Sequence, residues 1–137
     1  MPATDPSPST PLRVGLVGYG SAGRGIHASL IVRAGLTVAV VSTSNASRAD
    51  EVRADLPDAE VVPDLETLLA VEGLDLVVLA SPSGVHAEQA ERVVEAGIPL
   101  VVDKPLAVDA SRALDVVDLA AHHGVPLTVF NLSLIHI

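Results

Sequence analysis

The sequence predicts a doubly wound parallel α/β sheet with strand order 3-2-1-4-5-6, and three observations carry that prediction. Short Val- and Leu-rich runs alternate with Ala-rich stretches of helical length along a chain of 137 residues. Buried parallel strands read as continuous apolar runs of this kind. The apolar share is 49%, enough for a real core, and that core is aliphatic, with one Phe, one Tyr and no Trp. Each run is joined to the next by a crossover too long for a hairpin, which demands parallel pairing and right-handed connections. The length is that of one domain.

Met1 to Pro11, Pro-rich among Ser, Thr and Asp, reads as a disordered leader (1–11) before a folded domain over 12–131. Arg13 to Val17 is the first strand, and Ser21 to Arg33 a helix stopped at Gly35. Thr37 to Val41 is the second strand; Ser47 is expected to cap a helix from Arg48 to Leu56, ended by Pro57. Glu60 to Val62 follows as a brief strand, and Asp64 caps a short helix from Leu65 to Val71. Leu74 to Ala80 is the most apolar strand, after which Ser83 is expected to cap Val85 to Ala96, with Gly97 just past its end. Leu100 to Val102, a helix from Ser111 to His123 closed by Gly124, and Leu127 to Phe130 complete the order.

A net charge of −9 argues against a nucleic-acid or anionic-membrane partner, since both need clustered Lys and Arg. No run of about 18 apolar residues occurs, so no transmembrane helix is expected. Neither is a secretory signal, for want of a basic and then apolar N-terminus. The chain has no cysteine, which excludes disulfides and thiolate zinc sites and fits a cytoplasmic protein. No metal-ligand cluster is visible; His122 and His123 suit the dipole at a helix C-terminus and receive no function.

The first turn carries the first chemistry. Gly18-Tyr19-Gly20-Ser21-Ala22-Gly23 fits G-x-G-x-x-G, placed after an apolar strand and before a helix within one βαβ unit. That context makes it the phosphate loop of a Rossmann fold. Gly18 permits the tight turn, Gly20 lets the backbone approach a pyrophosphate, and Gly23 lets the helix pack close to the strand. The helix N-terminus offers free N–H groups and a positive dipole to the phosphates.

The end of the second strand bears on which dinucleotide binds. An NAD site places an acid there, roughly 20 residues past the loop, on the ribose 2′-OH. Here the chain reads Val41-Ser42-Thr43-Ser44-Asn45, with Arg48 soon after. A carboxylate would repel a 2′-phosphate, whereas hydroxyls and a guanidinium hydrogen-bond it. NADP(H) is therefore favoured over NAD(H). The plainer alternative is that Ser44, Asn45 and Ser47 form only a turn and cap, with Arg48 a solvated charge.

Two later segments are more specific. Ala80-Ser81-Pro82-Ser83-Gly84-Val85-His86 follows the fourth strand, and Ala96-Gly97 through Asp103-Lys104-Pro105-Leu106-Ala107 spans the fifth. With the glycine loop, this set resembles the glucose–fructose oxidoreductase/inositol dehydrogenase (Gfo/Idh/MocA) family, over Leu12 to about Phe130. Members carry a Pro-x-x-x-His segment after strand 4 and an Ala-Gly…Glu-Lys-Pro segment at strand 5. Asp103 stands for the commoner Glu, and Ser83 for a frequent Asn, which leaves that contact in doubt.

The resemblance implies an oxidoreductase acting on a sugar, polyol or related hydroxy compound by hydride transfer. It makes Lys104, the chain's one lysine, the group that meets the substrate oxygen, with Asp103 orienting it. It places Ser81, Pro82 and His86 beside the cofactor. Pro105 fixes the chain direction after the lysine, and a cis Lys104–Pro105 bond is open to it. A different function class fits the glycine loop equally: a stand-alone NAD(P)H-binding redox sensor, which would not need Lys104. A Rossmann methyltransferase is disfavoured by the third glycine and by Asp103-Lys104-Pro105.

Family members continue into a second, substrate-binding domain that is expected to be missing here. The resemblance implies oligomers through that domain, hence only for a longer protein. Leu132-Ser133-Leu134-Ile135-His136-Ile137 does not match the family's continuation. It is one forward translation of CTG-TCT-CTT-ATA-CAC-ATC, the transposon mosaic end used in sequencing libraries. The expectation is a reading frame that runs into adapter sequence. Amplification of the locus from source DNA should yield a coding sequence that departs from the given one at this tail; a native stop codon after Ile137 would refute it.

Overall fold

A computed structural model describes residues 11–130. The expected leader, but for Pro11, and the tail 132–137 lie outside the described residues. Six strands form one sheet in the order β3-β2-β1-β4-β5-β6: β1 Arg13–Val17, β2 Thr37–Ser42, β3 Glu60–Val62, β4 Leu76–Leu79, β5 Leu100–Asp103 and β6 Leu127–Phe130. All five pairings are parallel. The helices are α1 Ala28–Arg33, α2 Ala46–Asp55, α3 Leu65–Leu69, α4 His86–Glu95 and α5 Ala110–His123. This is the doubly wound Rossmann order that the alternation of runs predicts.

Strand neighbours point to opposite faces, and both faces are covered. Leu16, Val41 and Val78 pack with Ala28, Ile31 and Val52 beneath α1 and α2. Val17, Val40 and Val77 face the other way, onto Leu68, Val93 and Val116 of α3, α4 and α5. Burial on both sides is why the strands carry no alternation. β6 is the exception: as an edge strand it leaves Val129 exposed.

Several expected details are corrected. Asn45, not Ser47, caps α2: its extended backbone aims the side-chain oxygen at the Arg48 N–H, at 2.9 Å, and the helix begins at Ala46. Ser83 caps nothing, because the chain first makes a 3-10 turn over Ser83–Val85 and α4 starts at His86 without a side-chain cap. Asp109 caps α5 through the Arg112 N–H, as Asp64 caps α3 through Thr67. β4 begins at Leu76, not Leu74; just before it, the Asp75 carboxylate takes the Arg13 N–H while the Asp75 N–H donates to the Arg13 carbonyl. The expected first helix opens with a π-helical turn, Gly23–His27, before α1.

The turn between β1 and that helix is very tight. Gly18 has φ +93°, and a Cβ on it would lie 2.9 Å from the Ala80 carbonyl oxygen. A Cβ on Gly23 would stand 2.3 Å from the Gly18 carbonyl oxygen, closer than atoms pack. Gly23→Ala is therefore expected to destabilise the chain by about 1–3 kcal/mol, the usual cost of overpacking. Gly25→Ala, with nothing within 4 Å, should be neutral or slightly stabilising. Urea unfolding of both variants checks the contrast; equal effects would refute it.

Candidate functional site

The carboxyl ends of β2, β1 and β4 open onto one cleft of about 350 Å³. Gly18, Tyr19, Ser42, Thr43, Ser44, Arg48, Ser81 and Pro82, all expected from the sequence, line it together. Two strands reverse direction of winding at this point, where α/β sheets place their ligands. The Gly18 N–H donates to the Ser42 carbonyl at 2.9 Å and the Ala80 N–H to the Val17 carbonyl at 2.8 Å, so the three strand ends are pinned to one another.

The sequence reading did not foresee Asp64 and Gln89, which also line the cleft. Gln89 is placed by Ser81, whose hydroxyl donates to its side-chain oxygen. Asp64 spends one carboxylate oxygen on the Thr67 N–H and hydroxyl, and those bonds hold its carboxyl below the usual range.

The expected phosphate loop fits an anion. Arg48 reaches from α2 across the glycine turn, and the nearest atoms to a Cβ on Gly20 would be those of its guanidinium, at 3.6–3.7 Å. The nearest neighbour of the backbone at Gly20 is thus the end of a long, movable cation. Ser21, Ala22 and Gly23 open the helix there, and the first N–H groups of a helix lack partners within it.

The side chains of Tyr19 and His86 point elsewhere. The Tyr19 ring is buried, and its hydroxyl donates to Asp55 Oδ2 at 2.7 Å. Arg24 donates to the same oxygen at 2.8 Å and to Glu51 at 2.8 Å, so the loop and α2 share one ionic network. His86 is 1% exposed, with Nδ1 2.8 Å from the Pro105 carbonyl oxygen and Nε2 2.6 Å from that of Ser81. It joins the exit of β4 to the turn after β5, and none of its ring is left for the cleft.

Asp103 ends β5 and Lys104 follows it, one strand beyond the cleft-lining end of β4. Lys104 is exposed, its N–H donates to the Phe130 carbonyl at 3.0 Å, and its bond to Pro105 is cis. Asp103 has a neighbour that the sequence reading missed: His27 Nε2 lies 3.7 Å from Asp103 Oδ2.

A family model described as an oxidoreductase family with an NAD-binding Rossmann fold, Gfo/Idh/MocA, matches residues 12–131. The chain belongs to the Gfo/Idh/MocA family. It is 39% identical over 121 residues to an uncharacterized oxidoreductase, YdgJ, of Escherichia coli K12, covering 88% of this chain and 34% of that protein. It is 34% identical over 120 residues to a scyllo-inositol 2-dehydrogenase (NADP(+)) of Bacillus subtilis, covering 88% and 33%. The WlbA dehydrogenase of Bordetella pertussis, solved with NADH and UDP-GlcNAcA, superposes with a TM-score of 0.82 at 30% identity, over 91% of this chain and 36% of that one. The Gfo/Idh/MocA chain in hand thus spans about a third of the length of these relatives.

In this Gfo/Idh/MocA domain the Tyr19 phenol is a direct reporter on the loop. Burial, and then the bond to Asp55, push it from 10.0 up to about 12. The folded value exceeds the unfolded one, so the neutral phenol stabilises the fold fully below pH 10 and less as pH climbs toward about 12. Ultraviolet titration of the single tyrosine should show a native midpoint near 12, falling toward 10 in Asp55→Ala. A native midpoint near 10 would disprove the bond.

Proposed function

We propose that this chain is the cofactor-binding portion of an NADP(H)-dependent oxidoreductase acting on a sugar, polyol or related hydroxy compound. The single observation that carries the cofactor choice is the Arg48 guanidinium over Gly20, beside Ser42, Thr43 and Ser44. The end of β2 holds hydroxyls and a cation, and no carboxylate. Asp64, the acid in the cleft, comes from the turn after β3 and is engaged with Thr67. The Bacillus relative is named for NADP(+) and the Bordetella structure holds NADH; the choice rests on this chain's own residues.

In this reading Gly18, Gly20 and the N–H groups of Ser21, Ala22 and Gly23 hold the pyrophosphate. Ser44 and Arg48 hold the 2′-phosphate, and Ser81 and Pro82 line the path toward the nicotinamide. When bound, the nicotinamide would supply the hydride-transfer chemistry. Lys104 donates to the substrate oxygen and stabilises charge that develops there as the carbon–hydrogen bond forms or breaks. Asp103 keeps the ammonium oriented. His86 acts at a distance, by fixing the two turns that carry Ser81 and Pro105. The substrate-binding remainder lies in sequence beyond this chain, as the one-third coverage of its relatives supports.

Titration of the protein with NADPH and NADH, read by bound-nicotinamide fluorescence, tests the assignment. NADPH should bind more tightly, and Arg48→Ala should weaken NADPH by about tenfold, the worth of one charge-assisted hydrogen bond, while moving NADH far less. Tighter NADH binding, or an equal loss for both cofactors, would overturn the 2′-phosphate role.

A further inference from the structure

One buried polar group has no part in the scheme above. His27 is 4% exposed, and its Nε2 is a buried side-chain atom without a hydrogen-bond partner. An unmade bond of this kind is costly in a folded protein and calls for a reason. Its surroundings are specific. The ring packs edge-on against Phe130, at 5.1 Å between centroids, and Nε2 faces Asp103 Oδ2 at 3.7 Å.

Those neighbours belong to a single rung. Asp103 pairs with Phe130 in the β5–β6 ladder, and the Lys104 N–H donates to the Phe130 carbonyl. A π-helical turn, Gly23–His27, brings the histidine there, and such turns recur at functional sites. Gly23 is fixed against Gly18, and Ala28 and Ile31 are fixed against the sheet. The wide turn between them lets His27 also face inward, over the end of β5.

We propose that His27 is a positioning residue: its Nε2–H holds the Asp103 carboxylate and so sets the orientation of the Lys104 ammonium. The inference rests on the reading of Lys104 as the group that meets the substrate oxygen. Among the described residues, Asp103 is the charged group in contact with this ring; Arg24, on the same turn, is engaged with Glu51 and Asp55. Burial lowers the His27 pKa, against the smaller opposing pull of Asp103, which keeps the ring neutral. A neutral ring has one N–H, and a carboxylate only accepts, so the proton belongs on Nε2. At 3.7 Å the contact is longer than a hydrogen bond. Such contacts tighten when a site fills, and histidine–carboxylate pairs commonly orient a reacting group from behind.

The test uses the 137-residue chain and its single lysine. Long-range proton–nitrogen spectra at neutral pH should show His27 in the Nε2–H tautomer, and Asp103→Ala should convert it to a mixture. Lys104, followed through its ammonium nitrogen signal, should shift in the same direction in His27→Leu and in Asp103→Asn. The double variant should move it no further than Asp103→Asn alone, and His27→Gln, which retains an N–H donor, should restore much of the native signal. An Nδ1–H tautomer in the native chain overturns the proposal without any variant, so loss of folding in His27→Leu would not protect it. A Lys104 signal that follows Asp103 and ignores His27 removes His27 and leaves the Asp103–Lys104 pair standing. A signal indifferent to both removes the pair itself, and with it the role given to Asp103 above.

Discussion

The cleft depends on one close approach, that of the helix behind the glycine turn to the end of β1. Gly23 sits so near the Gly18 carbonyl that any side chain would push the two apart. Because they touch, the π-helical turn starts directly over the strand end. Its free N–H groups then face the place where β1, β2 and β4 finish. The neighbouring strand ends are locked to that contact through the Gly18 and Ala80 N–H bonds. Moving the helix outward by the width of one methyl would displace those N–H groups and leave the cleft walls behind.

A second layer of constraint fixes α2 relative to the same loop. Arg24 follows Gly23 immediately, and it grips Glu51 and Asp55 near the far end of α2, while Tyr19 donates to Asp55 from inside the loop. The arginine bonds depress the Asp55 pKa, so the carboxylate stays charged as the common acceptor. These groups are largely exposed, and an exposed ion pair adds little stability. Their value is geometric: they hold α2 at the angle from which Arg48, two residues past its first position, reaches Gly20. The cation over the phosphate loop is thereby set by residues that do not touch it.

This layering explains what could be read from the sequence. The bounds of β1 were legible because burial on both faces writes itself as an unbroken apolar run, and those of the edge strands β3 and β6 because turn residues flank short apolar runs. The glycine turn and the cleft-lining residues around Ser42 and Ser81 were legible because their signals are local in the sequence. Helix starts were less so: Asn45 and Ser47 are both good caps, and only the backbone angle at Asn45 decides between them. The pairs that matter most to the site were hidden. Tyr19 with Asp55, His86 with Pro105, and His27 with Asp103 are distant in sequence, and a lone histidine in a helical stretch carries no periodic signal. The one-residue irregularity that turns His27 inward leaves no mark in the composition of Gly23-Arg24-Gly25-Ile26-His27.

The buried polar residues give the same division in energetic form. Among the described residues they are His27, Ser42 and His86, and all three lie at the carboxyl edge of the sheet. Elsewhere the interior is aliphatic apart from the Tyr19 ring. Burying an imidazole is unfavourable unless its nitrogens find partners. His86 has a backbone carbonyl within hydrogen-bond distance of each ring nitrogen, that of Pro105 and that of Ser81, and its N–H can donate to one of them, which ties the exit of β4 to the turn after β5. His27 meets it incompletely, against a carboxylate just out of reach. A fold selected for stability alone would place an apolar side chain at that rung, beside Phe130. Retaining an under-satisfied histidine there is the kind of local disagreement with packing that marks a functional position, and it lies against Asp103, the residue before the one lysine.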